Sequence, residues 1–340
     1  TKTPPCNANC PAGTDVREFV DLATEKKFTE AFDKIYAKNP FPSVCGRVCP
    51  HFCEQNCNRN ELDEGLNIGA IERFLGDKQF ARKIDKVPTT KQEKIAVIGA
   101  GPAGLTTALR LVEKGYATTV YEALPYAGGM MRTGIPEFRL PKDVLDSEIA
   151  NIVKRGVKIT LNKKVTVDEL SKDYAAIVAA VGSHIEASMK LDNEHLALEG
   201  ISFLRDFKLA GDDAGIQKGD EVAIIGGGNT AVDVARTALR LGASPTVFYR
   251  RTANEMPAIA HEVEEAIAEG VIFKFLTAPI SLGEDEDGKI AMTLTEMALG
   301  EPDETGRRRP LPVDGSEQTV KVDKVIKAIG QWYDDYVFNG

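Results

Sequence analysis

The sequence predicts an α/β protein with two Rossmann-like nucleotide-binding domains behind a small helical, cysteine-bearing module. Three observations predict this. A strand–turn–helix–strand pattern with G-x-G-x-x-G opens at Lys94. A near-repeat with G-x-G-x-x-A opens at Glu221. All six cysteines, Cys6, Cys10, Cys45, Cys49, Cys53 and Cys57, precede both. At 340 residues the chain is long enough for two or three domains.

Residues 1–80 make up the cysteine module. Thr14 or Asp15 can cap a helix on which Val16, Phe19, Val20 and Ala23 fall at helical spacing. Further helices are predicted over Thr29–Ala37 and near Ile68–Leu75. Cys45, Cys49, Cys53 and Cys57 stand four apart and, with Cys10, supply thiolates from two separated segments. Three readings compete. Zinc tolerates C-x3-C but favours other spacings. Disulfides are disfavoured by a cysteine-free remainder of the chain and by the lack of a signal peptide's apolar core. An iron–sulfur cluster suits thiolates converging from loops with proline after a ligand, as at Cys10-Pro11 and Cys49-Pro50. The last is preferred. His51 reads as solvent-facing or as a neighbour of the ligands. Residues 81–93 read as a linker.

In the first nucleotide unit, Ile95–Ile98 is a buried strand. Gly99, Gly101 and Gly104 then allow the tight turn, backbone approach to a pyrophosphate, and close helix packing. Pro102 and Ala103 start the helix, whose exposed N–H groups and dipole favour phosphate. Glu122 ends the next strand, where a carboxylate accepts from ribose hydroxyls. Gly128 and Gly129 again permit close backbone approach to a ligand, Lys142–Arg155 reads as an amphipathic helix, and Val157–Leu161 and Tyr174–Val181 read as strands.

The second unit repeats the design, with strand Val222–Ile225, turn Gly226–Gly228, helix Asn229–Leu241 and strand Thr246–Tyr249. Its strand ends in Arg250 and Arg251, where the first unit has an acid. Guanidinium groups bind a 2′-phosphate that a carboxylate would repel, so NADPH is favoured over NADH. Residues 282–289 and 300–318 read as surface turns. The run Arg307–Arg309 could touch phosphate, but an exposed, solvated loop is the simpler reading, and Val322–Ile329 is a final strand.

Composition narrows the function classes. Hydrophobic content of 43% and charged content of 27% are ordinary for a globular protein. A net charge of −9 argues against nucleic acid or anionic membrane as the main partner. No run reaches the length of a membrane span, and a cytoplasmic location is expected. The chain opens at Thr1 rather than Met, so its natural start is expected upstream. Two nucleotide units with contrasting strand ends suggest a flavin and a pyridine nucleotide. A flavin exchanges hydride for single electrons and an iron–sulfur cluster carries single electrons, so the three groups together describe a converter. Disulfide reductases need a dithiol beside the flavin, and no cysteine follows Cys57.

The segments CPAGTD (10–15), NPFPSVCGRVCP (39–50), CEQNC (53–57), GAGPAGL (99–105), GGMMRTGIPEFRLPK (128–142), GGGNTAVDVAR (226–236) and YRRTANEMPA (249–258) span nearly the whole chain. In them the chain resembles the glutamate synthase small (β) subunit family. The same group includes the N-terminal region of dihydropyrimidine dehydrogenase and the large subunit of NADH-dependent ferredoxin:NADP oxidoreductase. The resemblance implies a helical iron–sulfur domain over 1–85 and an FAD-binding domain over 94–200. It implies an NAD(P)H-binding domain over 201–325, inserted in the FAD domain, which resumes over 326–340. It implies FAD at Gly99, Gly101, Pro102, Ala103, Gly104, Glu122 and the loop with Gly128, Gly129 and Arg132. It implies NADPH (or NADH) at Gly226, Gly228, Asn229, Thr230, Arg250 and Arg251. Relatives hold up to two [4Fe-4S] clusters. Cys10, Cys49 and Cys53 match the ligands of one, with Glu72 as the fourth; Cys6 and Cys57 match the other, whose upstream C-x2-C is not in this sequence. One cluster is therefore expected, with Cys45 or Cys57 as alternatives to the acid.

The implied function is that of an electron-input subunit. It would oxidise NAD(P)H through FAD and pass single electrons to a larger catalytic or ferredoxin-like subunit. An electron-bifurcating transhydrogenase-type subunit and a non-catalytic interaction subunit are the alternatives. Relatives continue past the AIGQ segment with a flavin-binding aspartate, so the stop at Gly340 is expected to be a truncation.

Overall fold

The computed structural model describes residues 3–79, 82–304 and 306–338; Ala81 of the expected linker and the terminal Gly340 lie outside them. Two compact units emerge. The first comprises 1–132, 137–182 and 334–340, and the second 133–136 and 183–333. The second is thus inserted in the first.

The first unit opens with short helices α1 (Pro5–Ala8), α2 (Val16–Thr24), α3 (Phe28–Tyr36), α4 (Pro42–Val48), α5 (Phe52–Gln55) and α6 (Ile68–Lys78). Asp15 caps α2 by accepting from Glu18 N–H at 3.1 Å. Val16, Phe19, Ala31, Ile35, Ile68 and Leu75 form the module's apolar core, and the Cys53 side chain belongs to it. Arg47 donates both terminal nitrogens to Asp77, at 2.8 Å each, tying α4 to α6.

A parallel sheet follows: β1 (Lys94–Ile98), α7 (Pro102–Glu113), β2 (Ala117–Tyr121), α8 (Met130–Thr133), α9 (Lys142–Arg155), β3 (Lys158–Thr160), α10 (Val167–Leu170) and β4 (Ala176–Ala179). The strand order is β3-β2-β1-β4. Order reverses at β1, and its carboxyl end is where this topology leaves a crevice for ligands. Helix α7 buries Leu105, Leu109 and Val112. On the other side Ala96 and Ile98 pack with Val165, Leu170 and Val337.

The second unit contains β5 (Ser183–Glu186), β6 (Ala197–Glu199), α11 (Gly200–Ala210), β7 (Glu221–Ile225), α12 (Asn229–Arg240), β8 (Ser244–Tyr249), α13 (Ala260–Glu269) and β9 (Ile272–Phe275). Strands β10 (Thr277–Glu284), β11 (Ile290–Pro302), β12 (Arg308–Pro312), β13 (Gln318–Val322), β14 (Lys324–Lys327) and β15 (Gln331–Tyr333) complete it. The parallel sheet runs β6-β14-β7-β8-β9. Its residues alternate between two cores: Val222, Ile224, Val247 and Ile326 face helices, while Ala223, Ile225, Phe248 and Val325 meet Met292, Leu294 and Val322.

Of the segments expected to be surface turns, 282–284, 300–302, 308–312 and 318 lie in strands, while 285–289, 303–304, 306–307 and 313–317 are turns and links between strands, as expected. β11 pairs antiparallel with β10, β12 and β13. These strands cover one face of the parallel sheet, which supplies the burial that stabilises them. β14 pairs with β6 and β7, so residues 324–327 lie in the second unit's sheet. That unit spans 183–333, whereas the sequence reading sets its limits at 201 and 325.

Candidate functional site

The first glycine turn forms as the spacing requires. Gly99 follows β1, Gly101 is the N-cap of α7, and Pro102 and Ala103 begin the helix in exposed positions, with Gly104 buried. Gly128 N–H donates to Ala100 O at 2.8 Å, which holds the second glycine loop against the first. At Gly129, with φ +51°, a Cβ would fall 2.7 Å from Gly101 Cα, so two backbones meet where only glycine fits.

Glu122 is buried, and both its oxygens are engaged. One accepts from Ala100 N–H at 2.8 Å and the other from Leu124 N–H at 2.9 Å. The acid therefore braces the glycine turn, and its remaining lone pairs are what a ribose hydroxyl could use. Arg132 is likewise committed: Nε donates to Ala127 O at 3.1 Å and a terminal nitrogen pairs with Asp146. It braces the Gly128–Gly129 loop against α9. The cradle fits a dinucleotide phosphate by its glycine contacts and open helix start.

The second turn lines a cavity of 520 Å³ with Gly226, Gly228, Thr230, Arg250, Arg251 and Arg307. At Gly226, with φ +149°, a Cβ would fall 2.2 Å from Ala328 O. Asn229 points elsewhere: its Oδ1 accepts from Ile259 N–H at 2.9 Å, anchoring the loop before α13 to the start of α12. The two arginines expected to act together differ. Arg250 is exposed. Arg251 is 5% exposed, its Nε donating to Arg308 O at 2.7 Å and a terminal nitrogen pairing with Asp303 at 3.1 Å. The sequence reading ranks a phosphate contact by Arg307 below an exposed loop. Its basic run was a signal, but only the fold shows which of the three arginines reaches the cavity.

The cysteines fall into groups by mutual electrostatics. Burial pushes the Cys53 thiol up to about 12, with the charges of Glu54, Cys49, Cys10 and Glu72 adding to the rise. The Cys49 thiol is raised chiefly by burial and further by Glu72 and Cys10. Cys6 is raised by burial and, among charges, by Cys57. Cys45 is also raised by burial, with Glu72 its strongest charged neighbour. Burial pushes the Glu72 carboxyl to about 7, although Asn39 donates to it at 2.9 Å. His51, held at φ 52°, donates its backbone N–H to Cys49 Sγ at 3.4 Å. All six cysteines are free thiols. Among the described residues, no three donors are close enough to hold a single metal ion. One buried and several half-buried thiols and an acid that share one another's fields, spread too wide for one ion, are a donor set that fits a multi-iron cluster. It does not fit a compact zinc site.

Among the described residues, no helix is long and apolar enough to cross a membrane. Two families match. One, described as dihydropyrimidine dehydrogenase domain II, 4Fe-4S cluster, matches residues 1–84. The other, described as pyridine nucleotide-disulphide oxidoreductase, matches residues 93–335. The chain is 41% identical to the NADP(+)-dependent formate dehydrogenase subunit beta of Moorella thermoacetica, covering 97% of this chain and 51% of that one. It is 42% identical to the NADPH-Fe(3+) oxidoreductase subunit beta of Geobacter sulfurreducens, with the same coverages. The chain thus spans about half the length of these relatives. It is 36% identical to the glutamate synthase [NADPH] small chain of Escherichia coli (strain K12), covering 96% of this chain and 74% of that one. Among solved structures, histamine dehydrogenase from Rhizobium sp. 4-9 matches with a TM-score of 0.55 at 17% identity, over 76% of this chain and 38% of that one. The T. acidophilum thioredoxin reductase matches at 0.52 and 15%, over 73% and 80%. These two likenesses concern the fold.

Proposed function

Because the chain belongs, with the glutamate synthase small chains, to the pyridine nucleotide-disulphide oxidoreductase family, we propose that it is an electron-input subunit of a cytoplasmic oxidoreductase. It oxidises NAD(P)H and delivers single electrons to a larger partner. When bound, FAD supplies the change from hydride to single-electron transfer, and one [4Fe-4S] cluster supplies a one-electron carrier.

The chain's residues bind and orient. The glycine turn at Gly99–Gly104, braced by Glu122 and by the Gly128–Gly129 loop, holds the flavin's pyrophosphate. The cavity at Gly226–Gly228, with Thr230 and Arg250, holds the nicotinamide nucleotide. Cys10, Cys49, Cys53 and Glu72 hold the cluster. The observation that carries the reading is the joining, in one chain, of two phosphate-type glycine turns and a set of half-buried and buried thiols that feel one another's charge. Relatives that are subunits of larger enzymes support a partner.

Anaerobic titration of the purified protein with NADPH tests the reading. Flavin absorbance should bleach and an EPR signal of a reduced cluster should appear. A colourless preparation without iron, or a flavin that NADPH does not bleach, sinks it.

A further inference from the structure

The run Arg307-Arg308-Arg309 lies where β12 begins, and the structure gives its members different surroundings. Arg308 turns back on its own hairpin, donating to Gly300 O at 3.1 Å and Leu299 O at 2.6 Å. Arg309 is exposed. Arg307 lines the 520 Å³ cavity together with Gly226–Gly228, Thr230, Arg250 and Arg251.

A small turn holds Arg307 there. Asp303 N–H donates to Arg307 O at 2.7 Å, and Arg307 N–H donates to Asp303 Oδ1 at 3.2 Å. The other Asp303 oxygen receives Arg251 at 3.1 Å, and Arg251 Nε donates to Arg308 O at 2.7 Å. The buried Arg251 side chain therefore pins the β11–β12 hairpin beside the cavity from both flanks of the turn. Although Arg250 as a whole is exposed, desolvation where its guanidinium meets the cavity wall and then the like charge of Arg251, with Arg307 adding to it, hold that guanidinium below its ordinary value. Arg250, Arg251 and Arg307 thus all line one nucleotide-sized cavity, and the Asp303 carboxylate pairs with the Arg251 guanidinium. Repelling cations held together in this way favour a multiply charged anion, and a phosphate monoester carries about −1.5 to −2 at neutral pH.

We propose that Arg307 and Arg250 form the clamp for the 2′-phosphate of NADP(H), and that Arg251 is a positioning residue that holds the hairpin rather than a phosphate ligand. The inference rests on reading the cavity as the nicotinamide-nucleotide site. It assigns the specificity to a hairpin remote in sequence from the glycine turn, in addition to the arginine at the strand end.

Binding of NADP+, NAD+, 2′,5′-ADP and 5′-ADP to the full chain tests it, with the thermal midpoint of each variant recorded. Arg307→Ala should weaken NADP+ and 2′,5′-ADP by roughly 10- to 100-fold, the scale of one lost charge-assisted contact. It should leave NAD+ and 5′-ADP within about twofold, since they lack the phosphate the contact serves. Arg307→Lys should restore part of the loss. Asp303→Asn, which keeps the shape of the turn but removes the partner charge of Arg251, should move the same pair of ligands in the same direction. Equal losses for phosphorylated and unphosphorylated ligands, or no loss for either, would overturn the clamp. A wild type that prefers NAD+ overturns it while leaving the nucleotide site intact. A wild type that binds none of the four removes the clamp and the site reading together.

Discussion

Glu148 is an acid placed where acids are costly. It is 3% exposed on α9, and its oxygens accept from Ser43 N–H at 2.7 Å and Val44 N–H at 3.2 Å, in the first turn of the cysteine-bearing helix α4. Burial pushes its carboxyl up to about 8, against the pull of those two donors and of Arg47, with Glu72 adding to the rise. A carboxyl raised on folding keeps its proton in the native state while the unfolded chain gives it up. The stability this contributes is fully present below the unfolded value and is lost as pH rises through the folded one. The unfolding midpoint should therefore fall between about pH 5 and about pH 8.5, and Glu148→Gln should flatten the fall. An unchanged slope in the variant would remove Glu148 as the cause. None of this was legible in the sequence, because Glu148 and Ser43 are joined only by the fold. Glu122 and Arg132 were legible as members of a nucleotide cradle. Their hydrogen bonds to Ala100, Leu124 and Ala127 show them bracing its loops, a task that spacing does not distinguish from touching the ligand.

At the scale of elements, helices α12 and α13 are joined by one buried cation. Arg236, 4% exposed, donates to Glu262 at 2.7 Å, to Glu265 at 2.8 Å and to Glu269 at 2.7 and 3.0 Å. Arg236→Leu leaves the buried Glu262 carboxylate without that partner and should cost about 3–5 kcal/mol in urea unfolding. Adding Glu262→Leu should recover much of the loss, because the stranded charge goes with it. A double variant no more stable than the single one would contradict that account. The nucleotide units were readable because glycine turns, apolar strands and amphipathic helices all agreed. β11 was not. Its residues Ile290–Pro302 are rich in Ala, Met, Leu and Glu, which favour helix or neither state, it ends in Pro302, and its partner β12 carries Pro310 and Pro312. What makes it a strand is Met292 and Leu294 buried against Ile225 and Phe248, a tertiary fact.

At the scale of the molecule, the cysteine module and the nucleotide folds should be separable by chemistry. Cys53→Ala removes a thiol seated in the module's core, and Cys53 feels both Cys49 and Cys10. Iron content of the purified variant should fall to near zero. NADP+ affinity should stay within about twofold, because no cysteine lines that cavity. Iron retained at the wild-type level would exclude Cys53 as a ligand.

The insertion of one unit in the other also sets an order in time. Val337 completes the core built by Ala96 and Ile98, although the whole second unit lies between them in the chain. A ribosome adding about 5–20 residues each second delivers β1 tens of seconds before its last packing partner arrives. Through that interval the first sheet stands with one face unfinished, while the second unit, 133–136 and 183–333, has all its residues before Val337 is made. The early strands are therefore the part of the nascent chain most dependent on shielding during synthesis.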